Sequence, residues 1–182
     1  MRISCSPEDY AHAALAIASG APLPPHGGTV AVMLKAGDKA PAFRLSDQSG
    51  KTVKLSDFKG RKLLVYFYPK ADTPGCTTQA CELRDASPKL GDTAVVGISP
   101  DPPNRQAKFD QKYGLGFPLL ADEDHAVAEA YDVWGEKKNY GRTYMGIVRS
   151  AFLVDEKGKV EDAWYKVSPK ATAENLLKAI GK

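Results

Sequence analysis

The stretch Tyr66-Phe67-Tyr68-Pro69-Lys70-Ala71-Asp72-Thr73-Pro74-Gly75-Cys76-Thr77-Thr78-Gln79-Ala80-Cys81 holds the residues best suited to chemistry. An apolar run closes at Pro69 and a loop follows. A helical pattern then opens, with Pro74 at its first position and Cys76 in its first turn. The leading amides of a helix lack intrahelical acceptors and carry partial positive charge, so they stabilise an anion. A thiolate is such an anion. An ordinary cysteine, of pKa ~8.5, is only ~3% ionised at pH 7; one lowered to ~6 is ~90% ionised, a gain worth ~2 kcal/mol. Thr73, three residues earlier, can turn its hydroxyl toward the sulfur or toward a bound oxygen. The plain alternative is a buried, unreactive thiol, and these residues alone leave both readings open.

Cys81 follows Cys76 by five positions. On an ideal helix, five residues rise ~7.5 Å and turn ~140°, which puts the Cα atoms ~8–9 Å apart. A disulfide spans no more than ~7 Å between Cα atoms, so the two sulfurs cannot bond while the helix is intact. Bonding them requires its first turns to unwind. Two cysteines without a nearby histidine are too few ligands for a zinc site. His12, His26 and His125 pair with no cysteine and are expected at the surface, which argues against a hydrolase with a histidine base. Cys5 receives no role.

These side chains need a scaffold. Residues 63–68 form a continuous apolar run, as in a central strand covered on both faces. Residues 74–89 read as a helix with Cys76, Ala80 and Leu83 on one face and Gln79, Arg84 and Asp85 as polar positions. A second buried strand is expected at 94–99, and a helix from Pro103 to Tyr113 ended by Gly114. A short strand at 117–120 and a short helix at 123–131 follow. Earlier, the turn Asp47-Gln48-Ser49-Gly50 joins a small hairpin, and 56–60 forms a turn or helical stub. Residues 137–142 read as a basic, solvated loop. Residues 148–155 form a strand that turns back into 160–166, and Thr172 is expected to cap a last helix carrying Leu176, Leu177 and Ile180. Alternating strands and helices with a late hairpin predict an α/β architecture with a mixed sheet.

The composition agrees with a globular domain, 43% hydrophobic and 26% charged. The charge sum, 25 − 22 = +3, is too small and scattered to imply nucleic acid. No run approaches the ~18 apolar residues of a membrane helix. Residues 1–32 differ from the rest, with four of the 13 prolines and only three charged side chains. A short helix at 11–18 is followed by breakers, and Glu8 and Asp9 stand where an export signal would be basic. This segment is expected to be an N-terminal extension, disordered or preceding a true start at Met33. Residues 33–182 make one domain of 150 residues.

Pro69-x-x-x-Thr73-x-x-Cys76 resembles the active-site motif of the peroxiredoxins. The longer run to Cys81 resembles the bacterioferritin comigratory protein, or Q-type, subfamily. So do Trp134-Gly135-Glu136-Lys137 and Gly146-Ile147-x-Arg149-x-x-Phe152-Leu153. The resemblance covers about residues 34–182 and nothing in 1–32; Ala151 stands where many relatives carry a hydroxyl residue. It implies a thioredoxin-like α/β fold, with a central mixed sheet flanked by helices. It also implies reduction of hydrogen peroxide and organic hydroperoxides by a thiol, without metal or bound cofactor, in antioxidant defence. Carried onto this chain, Cys76 is the peroxidatic nucleophile, oxidised to a sulfenic acid. Thr73 and the Cys76 amide position the peroxide, and Pro69 shapes the loop beside it. Arg149 supplies fixed positive charge. Cys81 resolves the sulfenic acid as an intramolecular disulfide, and thioredoxin or a similar dithiol restores both thiols.

An intrachain resolving cysteine makes a monomer the expectation, and the few cysteines point to the cytoplasm. The aromatic run 66–68 is expected mainly in the core, with one ring lining the pocket; Trp134 and Tyr144 form either an apolar collar or plain packing. Two rival functions remain. A thioredoxin-like disulfide reductase would usually carry Cys-x-x-Cys. A redox sensor would share the chemistry but show negligible turnover.

Overall fold

The structure, a computed structural model, describes residues 33–139 and 141–181. The expected helix at 11–18, Cys5, His12 and His26 lie outside these residues. The chain opens with a hairpin of β1 (Arg44–Asp47) and β2 (Thr52–Lys54). The Asp47 carboxylate accepts the Ser49 and Lys51 amides at 2.8 and 2.9 Å, and Gly50 takes the positive φ of 83° that the turn needs. A 3-10 turn at Leu55–Phe58 leads into β3 (Leu63–Phe67), every residue of which is buried. Next come α1 (Pro74–Ala86), a 3-10 turn at Ser87–Lys89, β4 (Ala94–Ser99) and α2 (Pro103–Tyr113). The chain continues through β5 (Leu119–Ala121), α3 (Ala126–Ala130), β6 (Trp134–Asn139) and β7 (Arg142–Ile147). It closes with β8 (Ser150–Val154), β9 (Val160–Trp164) and α4 (Ala171–Ala179).

Seven strands form one sheet in the order β2-β1-β5-β4-β3-β8-β9. The β3–β4 and β4–β5 pairs are parallel, and β1–β2, β1–β5, β3–β8 and β8–β9 are antiparallel, so the sheet is mixed as expected. The parity of β3 divides the core. Leu63, Val65 and Phe67 pack on one face with Val127, Ala128 and Tyr131 from the α3 region. Leu64, Tyr66 and Tyr68 pack on the other with Cys76, Ala80 and Leu83 of α1, Phe109 of α2 and Leu176 of α4. Helices therefore cover both faces of a thioredoxin-like sheet.

Four local expectations are corrected. Residues 137–139 and Arg142 are not loop: they belong to β6 and β7, which pair as a separate two-stranded ribbon from Trp134↔Ile147 to Asn139↔Arg142. The short strand and helix expected at 117–120 and 123–131 are β5 at Leu119–Ala121 and a briefer α3. Asp122 fixes the start of that helix, its carboxylate accepting the Val127 and Ala128 amides at 3.1 and 2.8 Å. Thr172 does not cap α4; Lys170 holds that position, and Thr172 is the second residue of the helix, fully buried. His125 is half-buried rather than a surface residue, its ring stacked on Trp134 at 3.8 Å between centroids.

Candidate active site

The loop between β3 and α1 is fixed from the α2 side. The Ala71 amide donates to the buried Asp101 carboxylate at 2.6 Å. That carboxylate also accepts the Ser99 hydroxyl at 3.0 Å and pairs with Arg105 at 3.1 Å. Asp72 occupies the left-handed region, at φ 59°, and its carboxylate accepts Lys112 Nζ at 2.9 Å and the Tyr113 hydroxyl at 2.8 Å. These two donors hold the Asp72 carboxyl below its ordinary range. A residue with positive φ, tied by its side chain, reverses the chain just ahead of the helix.

Helix α1 then starts with Thr73 at the N-cap and Pro74 at the first helical position. The Thr77 amide closes the first turn on the Thr73 carbonyl at 2.8 Å, so the Gly75 and Cys76 amides precede the helical ladder. The Thr73 hydroxyl donates to the Lys70 carbonyl at 2.9 Å. In this state it faces its own loop and not the sulfur.

Cys76 is 1% exposed, and Arg149 Nη2 donates to its Sγ at 3.3 Å. Arg149 immediately precedes β8, which pairs with β3, so these two adjacent strands deliver cysteine and arginine to one end of the sheet. The other terminal nitrogen, Nη1, donates to Gln79 Oε1. Gln79 is fully buried, and its Nε2 donates to Thr172 Oγ1 at 2.9 Å. A relay of Thr172, Gln79 and Arg149 thus aims the guanidinium at the sulfur. Gly75 leaves room for this: a Cβ there would lie 3.2 Å from Arg149 Nη2 and 3.4 Å from Pro169.

Tyr66 and Tyr68 are buried in the same core as Cys76, their rings stacked at 5.6 Å. Burial, reinforced by the neighbouring Tyr68 and Cys76, pushes the Tyr66 phenol well above its usual pKa, so it stays neutral beside the sulfur. Phe67 points to the opposite core. Lys137 on β6 is half-buried and donates to the Ile147 carbonyl at 3.0 Å. Burial and the charge of Arg149 lower its pKa, partly offset by Cys76. Cys81, half-buried, lies further along α1, and both cysteines are free thiols. Trp134 packs on His125 and on the core of the opposite face, while Tyr144 is 46% exposed. Pro69 is half-buried in the loop.

The AhpC/TSA family profile matches residues 36–163. The chain is similar to Peroxiredoxin Bcp of Escherichia coli, 55% identical over 130 residues, which cover 70% of this chain and 83% of that protein. It is similar to Peroxiredoxin Bcp of Bacillus subtilis, 46% identical over 149 residues, 81% of this chain and 95% of the relative. Among solved structures, a variant of Xanthomonas campestris Peroxiredoxin Q superposes with a TM-score of 0.74 at 36% identity, covering 80% of this chain and 97% of that one.

The chain belongs to the peroxiredoxin family.

A peroxiredoxin is a thiol peroxidase, and this one carries the Q-type form of the thioredoxin-like fold. Of the residues singled out in its sequence, Cys76 and Arg149 meet directly. Thr73 holds the N-cap of the same helix with its hydroxyl turned aside, and Cys81 stands on that helix as a free thiol, not bonded to Cys76. Sequence reading missed Gln79, Thr172 and Lys137 as neighbours of the peroxiredoxin centre. Gln79 follows Cys76 by three positions, which puts it on the adjoining helix surface, and that spacing was the available signal.

Proposed function

We propose that this peroxiredoxin reduces hydrogen peroxide and alkyl hydroperoxides through Cys76, with Cys81 and an external dithiol completing the cycle. The observation that carries the reading is the 3.3 Å contact of Arg149 Nη2 with Cys76 Sγ at the opening of α1. The thiolate attacks one peroxide oxygen and the O–O bond breaks. Cys76 becomes a sulfenic acid, and the other oxygen leaves as hydroxide or alkoxide, which takes up a proton to give water or alcohol. The guanidinium and the free Cys76 amide stabilise charge on the oxygens, and the Thr73 hydroxyl joins them by rotating away from the Lys70 carbonyl. The Cys81 thiolate then attacks the sulfenic sulfur, a disulfide forms and water leaves. Because both cysteines lie on α1, this step unwinds the helix start. A thioredoxin-type dithiol reduces the disulfide by exchange, itself becoming a disulfide.

Alkyl hydroperoxides are included because a similar structure, from Xanthomonas campestris at 35% identity and a TM-score of 0.73, concerns alkyl peroxide reduction by a bacterioferritin comigratory protein. Pro69 shapes the loop beside the substrate. A monomer suffices, since both cysteines belong to one chain, and the proposed setting is the reducing cytoplasm, with residues 33–182 as the working domain.

The test is peroxide consumption coupled to thioredoxin and its reductase. Cys76→Ser should abolish turnover. Cys81→Ser should consume about one equivalent of peroxide and then stall, and mass spectrometry of the oxidised protein should show a Cys76–Cys81 link. Normal turnover by Cys76→Ser would overturn the assignment of the nucleophile. Undiminished turnover by Cys81→Ser would overturn that of the resolving thiol.

A further inference from the structure

The end of the sheet opposite Cys76 holds a cavity of about 230 Å³. Strand β3 enters at Leu63 and leaves at Phe67, and β8 runs antiparallel to it, with Leu63 opposite Val154 and Phe67 opposite Ser150. Cys76 and Arg149 therefore sit beyond the Phe67 end, whereas Leu63 and Val154 line the cavity at the other. About 13 Å of strand separates the two.

The cavity has two chemically distinct parts. Leu55, Phe58, Leu63 and Val154 supply an apolar floor. Lys39, Lys59, Arg61 and Lys157 stand around it, all exposed, and none of the four makes an ion pair among the described residues. The Arg61 guanidinium lies 5.3 Å from the centre of the Phe58 ring, at the junction of floor and rim. The single acidic lining residue, Asp155, is occupied by its own turn, one oxygen accepting the Lys157 and Lys159 amides at 2.9 and 2.8 Å. Four cations against this one carboxylate leave the mouth net positive. A strongly hydrated inorganic anion would leave the floor unused, and a neutral hydrocarbon would leave the rim unused.

The geometry points to a second ligand site, for a small monocarboxylate with a ring-sized apolar body. The body rests on Leu55 and Ala42 above the buried Phe58 and Leu63, and the carboxylate meets Arg61 and the lysines. An apolar cavity of ~150 Å³ already holds a benzene ring, so this one accommodates a ring with a short acidic arm. The site does not depend on the peroxidase chemistry, and its occupant reaches neither Cys76 nor Arg149.

The test titrates the full-length protein with 3-phenylpropionate, and separately with 3-phenylpropanol, near neutral pH, following amide chemical shifts. The acid should move resonances at 39–42, 55–63 and 154–158 and leave those at 73–81 in place. The alcohol should bind at least about tenfold more weakly, since it lacks the charge-assisted contacts. Arg61→Gln should weaken the acid by about tenfold on the same grounds. Ala42→Trp, at an exposed lining position, should fill the mouth and abolish binding, while both variants keep normal peroxide turnover. Absence of saturable shifts, shifts confined to the Cys76 end, or equal affinity for acid and alcohol would each overturn the proposal.

Discussion

Gln79 and Thr172 share a buried 2.9 Å hydrogen bond that ties α1 to α4 across 93 positions of sequence. Its Nε2 being committed to Thr172, the Gln79 carboxamide must present its oxygen to Arg149. Thr172→Val keeps the shape but leaves a buried amide donor unpaired, at a cost of ~1–3 kcal/mol. Chemical denaturation should show that loss. Stopped-flow oxidation by peroxide should be slower, because the carboxamide is free to turn, and Thr172→Ser should restore both. A rate unchanged in Thr172→Val would mean that Arg149 needs no such orientation.

Arg149 uses two terminal nitrogens for two partners, Gln79 and Cys76. A lysine presents one ammonium and cannot reproduce that fork. Arg149→Lys should lower the second-order rate with peroxide by roughly 10²-fold, the scale expected for loss of one preorganised donor. Near-normal oxidation of this variant would show that positive charge alone is enough.

Gly75→Ala places a Cβ 3.2 Å from Arg149 Nη2, so the guanidinium must shift by a few tenths of an ångström. Gly75 has no positive φ, so the backbone accepts alanine without strain. Stability should therefore stay within ~1 kcal/mol of the parent, while the peroxide rate falls by about tenfold. Thermal melts beside rate measurements separate the two effects.

Lys112 and Tyr113 keep the Asp72 carboxyl below its ordinary range. The folded loop thus prefers the ionised form. Its contribution is complete above the unfolded value of ~3.9 and disappears as pH falls through the lower folded value. Amide protection at 71–73 should hold from neutrality down to about pH 4 and then fall in more acid solution. Asp72→Asn should remove this acid step and lower protection throughout. An identical acid step in Asp72→Asn would assign it to another group.

Gly97 on β4 admits the Tyr66 hydroxyl: a Cβ there would lie 2.7 Å from that oxygen and 3.0 Å from Leu119 Cδ2. Gly97→Ala should cost ~1–3 kcal/mol by overpacking, and lower the melting temperature by ~2–4 °C for each kcal/mol. The ring of Tyr66 shares its core with Cys76, so peroxide oxidation should slow as well.

The sequence made the strand–loop–helix around Cys76 legible because each signal there is local. The apolar run into Pro69, the helix-opening Pro74 and the i, i+4, i+7 stripe of Cys76, Ala80 and Leu83 need no distant partner. Arg149 could be singled out through the peroxiredoxin pattern, since nothing local separates it from a strand-end ion pair. Gln79 read only as a polar position because its partners, Arg149 and Thr172, lie 70 and 93 residues away. Thr172 looked like a cap for the same reason: a hydroxyl near a helix start has a local use as well as a tertiary one. Lys137 and its neighbours looked like loop because the basic run from Lys137 to Arg142 reads as solvated backbone, and the pairing partner that makes it a strand is not visible locally.

The placement of Gln79 between the two thiols on α1 has a mechanical consequence. The turn that must open for those sulfurs to meet is the turn that carries the brace for Arg149. On the proposed disulfide route, opening it takes the brace from Arg149 while the S–S bond occupies the sulfur, so both must be restored before the next oxidant is met. Readiness to react and integrity of one stretch of backbone are a single property here, enforced like an interlock by where one carboxamide is mounted.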